Sequence, residues 1–151
     1  MNFPDCSVIV AHIGRAYCKE HVGDAFSVLK QAPNLYYDFS ANMNQWVVEQ
    51  LIKNVNPERI LYGSDAPVNL MKMTRMCENG SYVNIVPESL YGDVSEYSNM
   101  RSVSGPESEH LTYFAYEIID AFRRASIQTG LTDKEIKAVF YDNAAGLFGI
   151  E

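Results

Sequence analysis

The amino-acid sequence predicts an α/β protein built on parallel strands. Short apolar runs alternate with amphipathic helical segments along the first half of the chain. Two of these runs end at an ionisable residue, His12 and Asp65, in turns that contain Gly or Pro. Near-continuous apolar strands joined by helices are typical of a parallel sheet, because a parallel connection has to cross over the sheet.

The predicted elements follow the order βαβαβ. The strands are expected at residues 6–11, 34–40 and 59–64, and the helices at 19–32 and 44–55. Pro33 ends the first helix because proline lacks the backbone N–H that a helix requires. In the second helix, apolar residues recur at helical spacing from Val47 to Val55, and Asn56-Pro57 ends it.

The spacing of the strand ends fits a repeated βα unit. His12, Ser40 and Asp65 lie 28 and 25 residues apart. A barrel of eight βα units in about 250 residues uses roughly 30 residues per unit. At this point a barrel segment and an open parallel sheet fit the pattern equally well.

Residues 68–105 are predicted to be a long loop or lid inserted after the last strand, within a single domain of residues 1–151. This tract is polar and has no sustained helical or strand period. Long loops in compact domains are often lids or binding loops. This loop could cover the substrate, or it could be a partly mobile loop without a function, and the sequence leaves both interpretations open.

Two more helices are predicted after this loop. An apolar stripe from Leu111 to Phe122, which includes Ile119, indicates one helix, with Pro106 placed in its first turn. The last helix begins at Thr132, where Glu135 completes a capping box. Its predicted buried face consists of Ile136, Val139, Phe140 and Leu147.

Composition excludes several classes of partner. The net charge of −7 would repel a phosphate backbone and an anionic membrane, and no apolar run is long enough to span a bilayer. Three cysteines without a C-x-x-C pair are a poor disulfide framework, so a reducing, cytoplasmic location is expected. The expected partner is a small-molecule substrate.

His12 and Asp65 are the main site candidates, as catalytic residues and as metal ligands. The carboxyl ends of parallel strands meet at one edge of a sheet, so residues just after the strands converge. An aspartate there can bind a divalent cation and accept a proton from water, and a histidine can ligate the metal or polarise a carbonyl. A buried hydrogen-bonded imidazole and a turn-capping aspartate remain the alternatives.

Three further residues are candidates for substrate binding. Asp38 and Ser40 end the middle strand on one face, while Tyr37 and Phe39 point to the other. Arg15 follows His12 by three residues.

His21 and His110 are expected to be surface or capping residues and are not assigned to the site. Ser64 is not a nucleophile because its surroundings lack the G-x-S-x-G elbow, and no dinucleotide or triphosphate motif occurs.

Four segments together resemble the amidohydrolase-related metal-dependent hydrolases, which also include decarboxylases. They are Ala11–Gly14, Asn34–Ser40, Ile60–Pro67 and Asn143–Phe148, and the Gly63-Ser64-Asp65-Ala66-Pro67 element is the most specific. The resemblance implies the C-terminal half of a TIM barrel, about three βα units and the closing helices. It also implies a divalent metal, with Zn²⁺ first and Mn²⁺ as the alternative.

The resemblance gives Asp65 the role of metal ligand and acid/base, and His12 a role near the metal. It also shows what the chain lacks: the His-x-His pair of the family's first strand and a ligand from its fifth strand. The expected function is hydrolysis of a small polar substrate by a metal-activated water, or decarboxylation. The alternative is an inactive half-barrel that lacks its metal and self-associates or needs its missing N-terminal half.

Overall fold

The computed structural model describes residues 6–150, and its first sheet has the predicted parallel order. The strands are β1 (Val8–Val10), β2 (Leu35–Asp38) and β3 (Ile60–Leu61). They lie in the order β1-β2-β3, with Val8 opposite Leu35 and Tyr37 opposite Ile60. The predicted α/β class with parallel strands is therefore confirmed. The sheets that the described residues form are small ones, not a closed barrel.

The connections between these strands are helical, but the first is broken. A helical turn α1 (His12–Arg15), a 3-10 turn (Lys19–His21) and helix α2 (Ala25–Leu29) occupy the first connection. The single helix predicted over 19–32 is wrong, because Gly23 has a φ of 51° and interrupts the helical path. Helix α3 (Gln45–Asn54) agrees with the prediction, and the Asn44 side chain caps it by accepting the Val47 N–H.

The segment predicted as a loop forms a second sheet. It contains β4 (Thr74–Glu78), β5 (Ser81–Pro87) and β6 (Met100–Val103). β4 and β5 are antiparallel, and β5 and β6 are parallel. The prediction of a segment without secondary structure is therefore wrong. A hairpin signal was present in Asn79-Gly80, whose positive φ angles of 51° and 76° suit a two-residue turn.

A short helix and a long helix follow the second sheet. Pro106 lies in the separate helix α4 (Pro106–Glu109), and the long helix α5 (Phe114–Thr129) begins later. The single helix predicted from Pro106 onward is wrong because residues 112–114 pair with residues 71–73, as in the bond from Phe114 N–H to the Met71 carbonyl. Ile119 is 37% exposed and lies outside the buried stripe of α5.

The closing region confirms the capping box of Thr132 and Glu135. It consists of α6 (Asp133–Lys137), a π-helical turn (Ala138–Asp142) and α7 (Asn143–Phe148). Val139 is fully buried, and its carbonyl accepts the Tyr62 N–H just after β3. Asn143 Nδ2 donates to the carbonyls of Pro57 and Ile60 at 2.8 Å. This region therefore holds β3, the strand that precedes Asp65.

A disulfide joins Cys18 to Cys77, with 5.7 Å between the two Cα atoms. The prediction that the cysteines form no disulfide framework is wrong for this pair, because the second sheet brings β4 against the segment after α1. Cys6 is free and exposed. The cytoplasmic location was predicted from unpaired cysteines. With this disulfide present, the cysteines no longer support it, and it remains a prediction. None of the helices within residues 6–150 combines the length and the hydropathy needed to cross a membrane.

Candidate active site

The ends of the three parallel strands bring His12, Asp38, Ser40 and Asp65 together. His12 Nε2 lies 4.0 Å from Asp65 Oδ1, and His12 Nδ1 lies 2.8 Å from Ser40 Oγ. Asp38 and Ser40 stand between the other two because β2 is the central strand. The predicted convergence of His12 and Asp65 on one edge is thus confirmed.

The backbone just beyond each strand is in a conformation that side chains rarely adopt. The φ angles of His12, Ala41 and Asp65 are 55°, 53° and 54°. Non-glycine residues in this left-handed region are uncommon and cluster at ligand sites and active sites. Because residues of this kind follow all three strands, we take this edge as the candidate functional site.

The contacts of His12 determine which ring nitrogen carries the proton. Nδ1 lies 3.2 Å from the Ser40 carbonyl oxygen, which can only accept a hydrogen bond. Nδ1 therefore donates, and in the neutral ring Nε2 keeps an unshared electron pair. That electron pair is on the nitrogen that faces Asp65.

Asp38 accepts hydrogen bonds that hold His12 and Ser40 in place. Its Oδ1 accepts the backbone N–H of His12 at 2.9 Å and that of Ser40 at 3.1 Å. The Ser40 hydroxyl also donates to the same oxygen. Because the serine proton is used there, Ser40 Oγ accepts from His12 Nδ1. Asp38 and Ser40 thereby fix the orientation and the tautomer of the imidazole.

Solvent reaches His12 and Asp65 more readily than the groups behind them. The side chains of His12 and Asp65 are 27% and 29% exposed, that of Asp38 is 17% exposed, and Ser40 is 2% exposed.

Gly63 allows the chain after β3 to pack closely against Asp38 and Ser40. A methyl group at Gly63 would lie 3.4 Å from both Asp38 Cγ and Ser40 Cβ, so a larger side chain would press on the pair.

The opposite face of β2 belongs to the core, as predicted for Tyr37 and Phe39. Both residues are buried, and the Phe39 ring stacks on Phe122 of α5 with 4.5 Å between ring centroids. Burial raises the pKa of the Tyr37 hydroxyl. The polar and apolar faces of one short strand thus separate the site from the core.

Arg75 braces the loop after β2, a role that was not predicted from the sequence. Arg75 of β4 donates to the Ala41 carbonyl and to Asn84 Oδ1, and its guanidinium lies 3.9 Å from the centroid of the Tyr17 ring. Burial lowers the pKa of Arg75, although arginine keeps its charge at neutral pH. A signal for this role is absent from the sequence because 34 residues separate Arg75 from Ala41.

Arg15 points to the second sheet rather than to the imidazole and carboxylates. Its Nη2 donates to the Tyr82 hydroxyl at 3.1 Å. His21 acts as a capping residue, as expected, because its Nδ1 accepts the Cys18 N–H. His110 is exposed at the end of α4, as expected for a surface residue.

The first half of the chain matches a known protein family. The model of the family described as Amidohydrolase matches residues 2–79, which are 78 of the 151 residues. The chain belongs to the amidohydrolase family. The amidohydrolase match includes His12, Asp38, Ser40 and Asp65, and the closing segment Asn143–Phe148 lies beyond it. No curated protein and no solved structure matches the chain.

Amidohydrolases generally use divalent metals, and the described residues fit such a metal only in part. Residues 6–150 contain no group of three or more His, Cys, Asp or Glu side chains placed to hold a metal ion. A catalytic zinc usually has three protein ligands and a water. His12 Nε2 and Asp65 are suitable donors but are an incomplete set.

Proposed function

We propose that this amidohydrolase hydrolyses a small polar substrate at the edge formed by His12 and Asp65. One observation carries the proposal: the unshared electron pair of His12 Nε2 faces the Asp65 carboxylate across 4.0 Å. This separation is too long for a hydrogen bond, and it leaves room for a bridging water. Such a water would donate one hydrogen to each group.

The proposed chemistry needs one proton transfer in each direction. Asp65 accepts a proton as the water oxygen attacks the carbonyl carbon of an ester or amide. The tetrahedral intermediate then collapses, the bond to the leaving group breaks, and Asp65 returns the proton to the leaving atom. His12 holds the water in place through Nε2. General base catalysis of this kind contributes about 10²–10⁴-fold to a rate.

Asp38 and Ser40 are proposed to position His12 instead of binding substrate. The sequence predicted substrate contact for both residues. However, Ser40 is buried, and Asp38 Oδ1 already accepts three hydrogen bonds from His12 and Ser40. Partners that orient a functional histidine are generally as important as the residues that touch substrate.

The parallel strands also support a proposal about architecture. We propose that β1, β2 and β3 with their helices are three consecutive βα units of a TIM barrel. Their order in the sheet equals their order in the chain, and the site lies at their carboxyl ends. This is where the active sites of TIM barrels lie.

The test is a hydrolase screen with small esters and amides, run with and without added Zn²⁺ or Mn²⁺. Asp65→Asn is expected to lower kcat about 10²-fold or more. Asp24→Asn is the matched control because Asp24 is an exposed aspartate whose side chain caps no helix. Unchanged turnover in Asp65→Asn would remove Asp65 from catalysis.

The incomplete ligand set favours a second candidate function. In this alternative the chain is a module without activity of its own, and another chain supplies the remaining ligands. The edge strand β1 supports it, since Val8 and Ile9 are 42% and 38% exposed. Light scattering during a Zn²⁺ titration distinguishes the two. A monomer that binds one Zn²⁺ tightly contradicts the module, and a metal-free oligomer without turnover supports it.

A further inference from the structure

Three side chains outside the candidate active site form a group that is rich in hydrogen-bond donors. Arg15 Nη2 and Asn99 Nδ2 both donate to the Tyr82 hydroxyl oxygen, at 3.1 Å and 3.0 Å. Within residues 6–150, no acceptor is found for the hydroxyl hydrogen of Tyr82 itself. Arg15, Tyr82 and Asn99 therefore present several free N–H and O–H groups at one place, and we call them the donor cluster.

The donor cluster is positively charged within an acidic protein. Neither Arg15 nor the neighbouring Arg75 has a carboxylate within 4.0 Å among the described residues, whereas Arg101 on β6 is paired with Glu78. Burial lowers the pKa of Arg75, and the charge of Arg15 lowers it further. Two adjacent cations without a counterion are stabilised when an anion binds.

The surroundings favour a small organic anion. The rings of Tyr17 and Tyr82 meet edge to face with 4.9 Å between centroids, and they form an apolar wall beside Arg15. Arginine binds carboxylates through paired N–H groups, and charge-assisted hydrogen bonds of this kind are among the strongest. Arg15 is exposed, so such a ligand can reach it from solvent.

The donor cluster is connected through the backbone and a disulfide to the segment that carries His12. Arg15 follows His12 by three residues in the same turn, and the disulfide between Cys18 and Cys77 holds that segment against β4. β4 pairs directly with β5, which carries Tyr82. The turn that carries His12 and Arg15 is therefore linked covalently to the sheet that carries Tyr82.

We infer that Arg15, Tyr82 and Asn99 bind the carboxylate of a small organic acid, and that this acid is the substrate. The assignment of this anion as substrate rests on the proposed function, while its binding does not. The carboxylate would accept hydrogen bonds from the Arg15 guanidinium, the Tyr82 hydroxyl and the Asn99 amide.

Binding of succinate, followed by NMR shift changes or calorimetry, tests the inference on the full chain. The neutral diamide succinamide, which has the same length, is the comparison ligand. Succinate is expected to bind at least about tenfold more tightly than succinamide, and Arg15→Met is expected to abolish that preference. Tyr82→Phe is expected to weaken succinate binding by a smaller factor, and raised salt should weaken it further.

Arg101→Met is the matched control because Arg101 is an exposed arginine on the same sheet that already has a carboxylate partner. It should leave succinate affinity within about twofold. Equal affinity for succinate and succinamide, no succinate binding, or full binding by Arg15→Met would each overturn the inference. Asp65→Asn should keep succinate binding even where it loses turnover, so failure of the hydrolase proposal is seen separately.

Discussion

The carbonyl oxygen of Ser40 lies 3.2 Å from Nδ1 of His12 and determines the tautomer of the imidazole. A carbonyl cannot donate, so the hydrogen belongs to Nδ1 and the unshared pair of the neutral ring belongs to Nε2. The residue that gives His12 its chemistry is therefore buried behind it, at the end of the neighbouring strand.

Replacement of Ser40 by alanine tests this support. Ser40→Ala removes the hydroxyl that bridges His12 Nδ1 and Asp38 Oδ1, so the ring loses one of its two anchors. Turnover of any substrate found in the screen is expected to fall about tenfold or more. Ser126→Ala is the matched control, since Ser126 is equally buried and donates to the Phe122 carbonyl within α5. An equal loss in both variants would indicate a general packing effect.

The convergence of His12 and Asp65 was predictable because it depends on a rule of chain direction. Parallel strands place their carboxyl ends at one edge, and the apolar runs before both residues showed where those ends lie. The task of Ser40 was not predictable in the same way. It depends on the direction of the Ser40 carbonyl and on the burial of Ser40, which is only 2% exposed. Residue type and spacing predict neither of these.

The second sheet was missed because its strands lack a long apolar run. β4 reads Thr-Arg-Met-Cys-Glu, and its stability depends on partners that are distant in sequence. Cys77 bonds to Cys18 across 59 residues, and Arg75 bonds to Ala41 across 34. Tertiary contacts of this range override local propensity, so a local pattern could not reveal them.

Arg75→Met tests the brace between the second sheet and the loop after β2. The variant leaves the Ala41 carbonyl and Asn84 Oδ1 without their donor and removes the stack on Tyr17. Unsatisfied buried acceptors cost about 1–3 kcal/mol, and the free energy of unfolding in urea should fall by that amount. Arg101→Met should cost much less stability because its ion pair with Glu78 is exposed to solvent. Equal losses would contradict the brace.

Removal of the disulfide should destabilise the fold. Cys77→Ser opens a loop of 59 residues, and such cross-links contribute about 2–4 kcal/mol. The loss would be measured by urea unfolding, with Cys6→Ser as control because Cys6 is exposed and free. A thiol reagent should detect one thiol in the unfolded, unreduced chain and three after reduction. Three thiols before reduction would disprove the bond.

The capping box predicts a pH-dependent stability. The Thr132 backbone N–H, and then its hydroxyl, lower the pKa of Glu135 by hydrogen bonding to the carboxylate. The folded state is therefore favoured above the unfolded pKa of about 4.3, and this contribution is lost as the pH falls through the lower folded pKa. Glu135→Ala should lower Tm at pH 7, and the difference should shrink in acid. Glu96→Ala, at an exposed site outside the helices, should show no such trend.

The proposed chemistry depends on an unprotonated Nε2 of His12 that faces Asp65, and nitrogen NMR of the histidine rings at alkaline pH measures this directly. His12 should carry its proton on Nδ1. His21 should carry it on Nε2, because its Nδ1 accepts the Cys18 N–H and its Nε2 lies 3.0 Å from the Gly80 carbonyl. Asp65→Asn should shift the His12 Nε2 signal and leave His21 unchanged. A proton on Nε2 of His12, or no response of His12 to Asp65→Asn, would contradict the proposed role of His12.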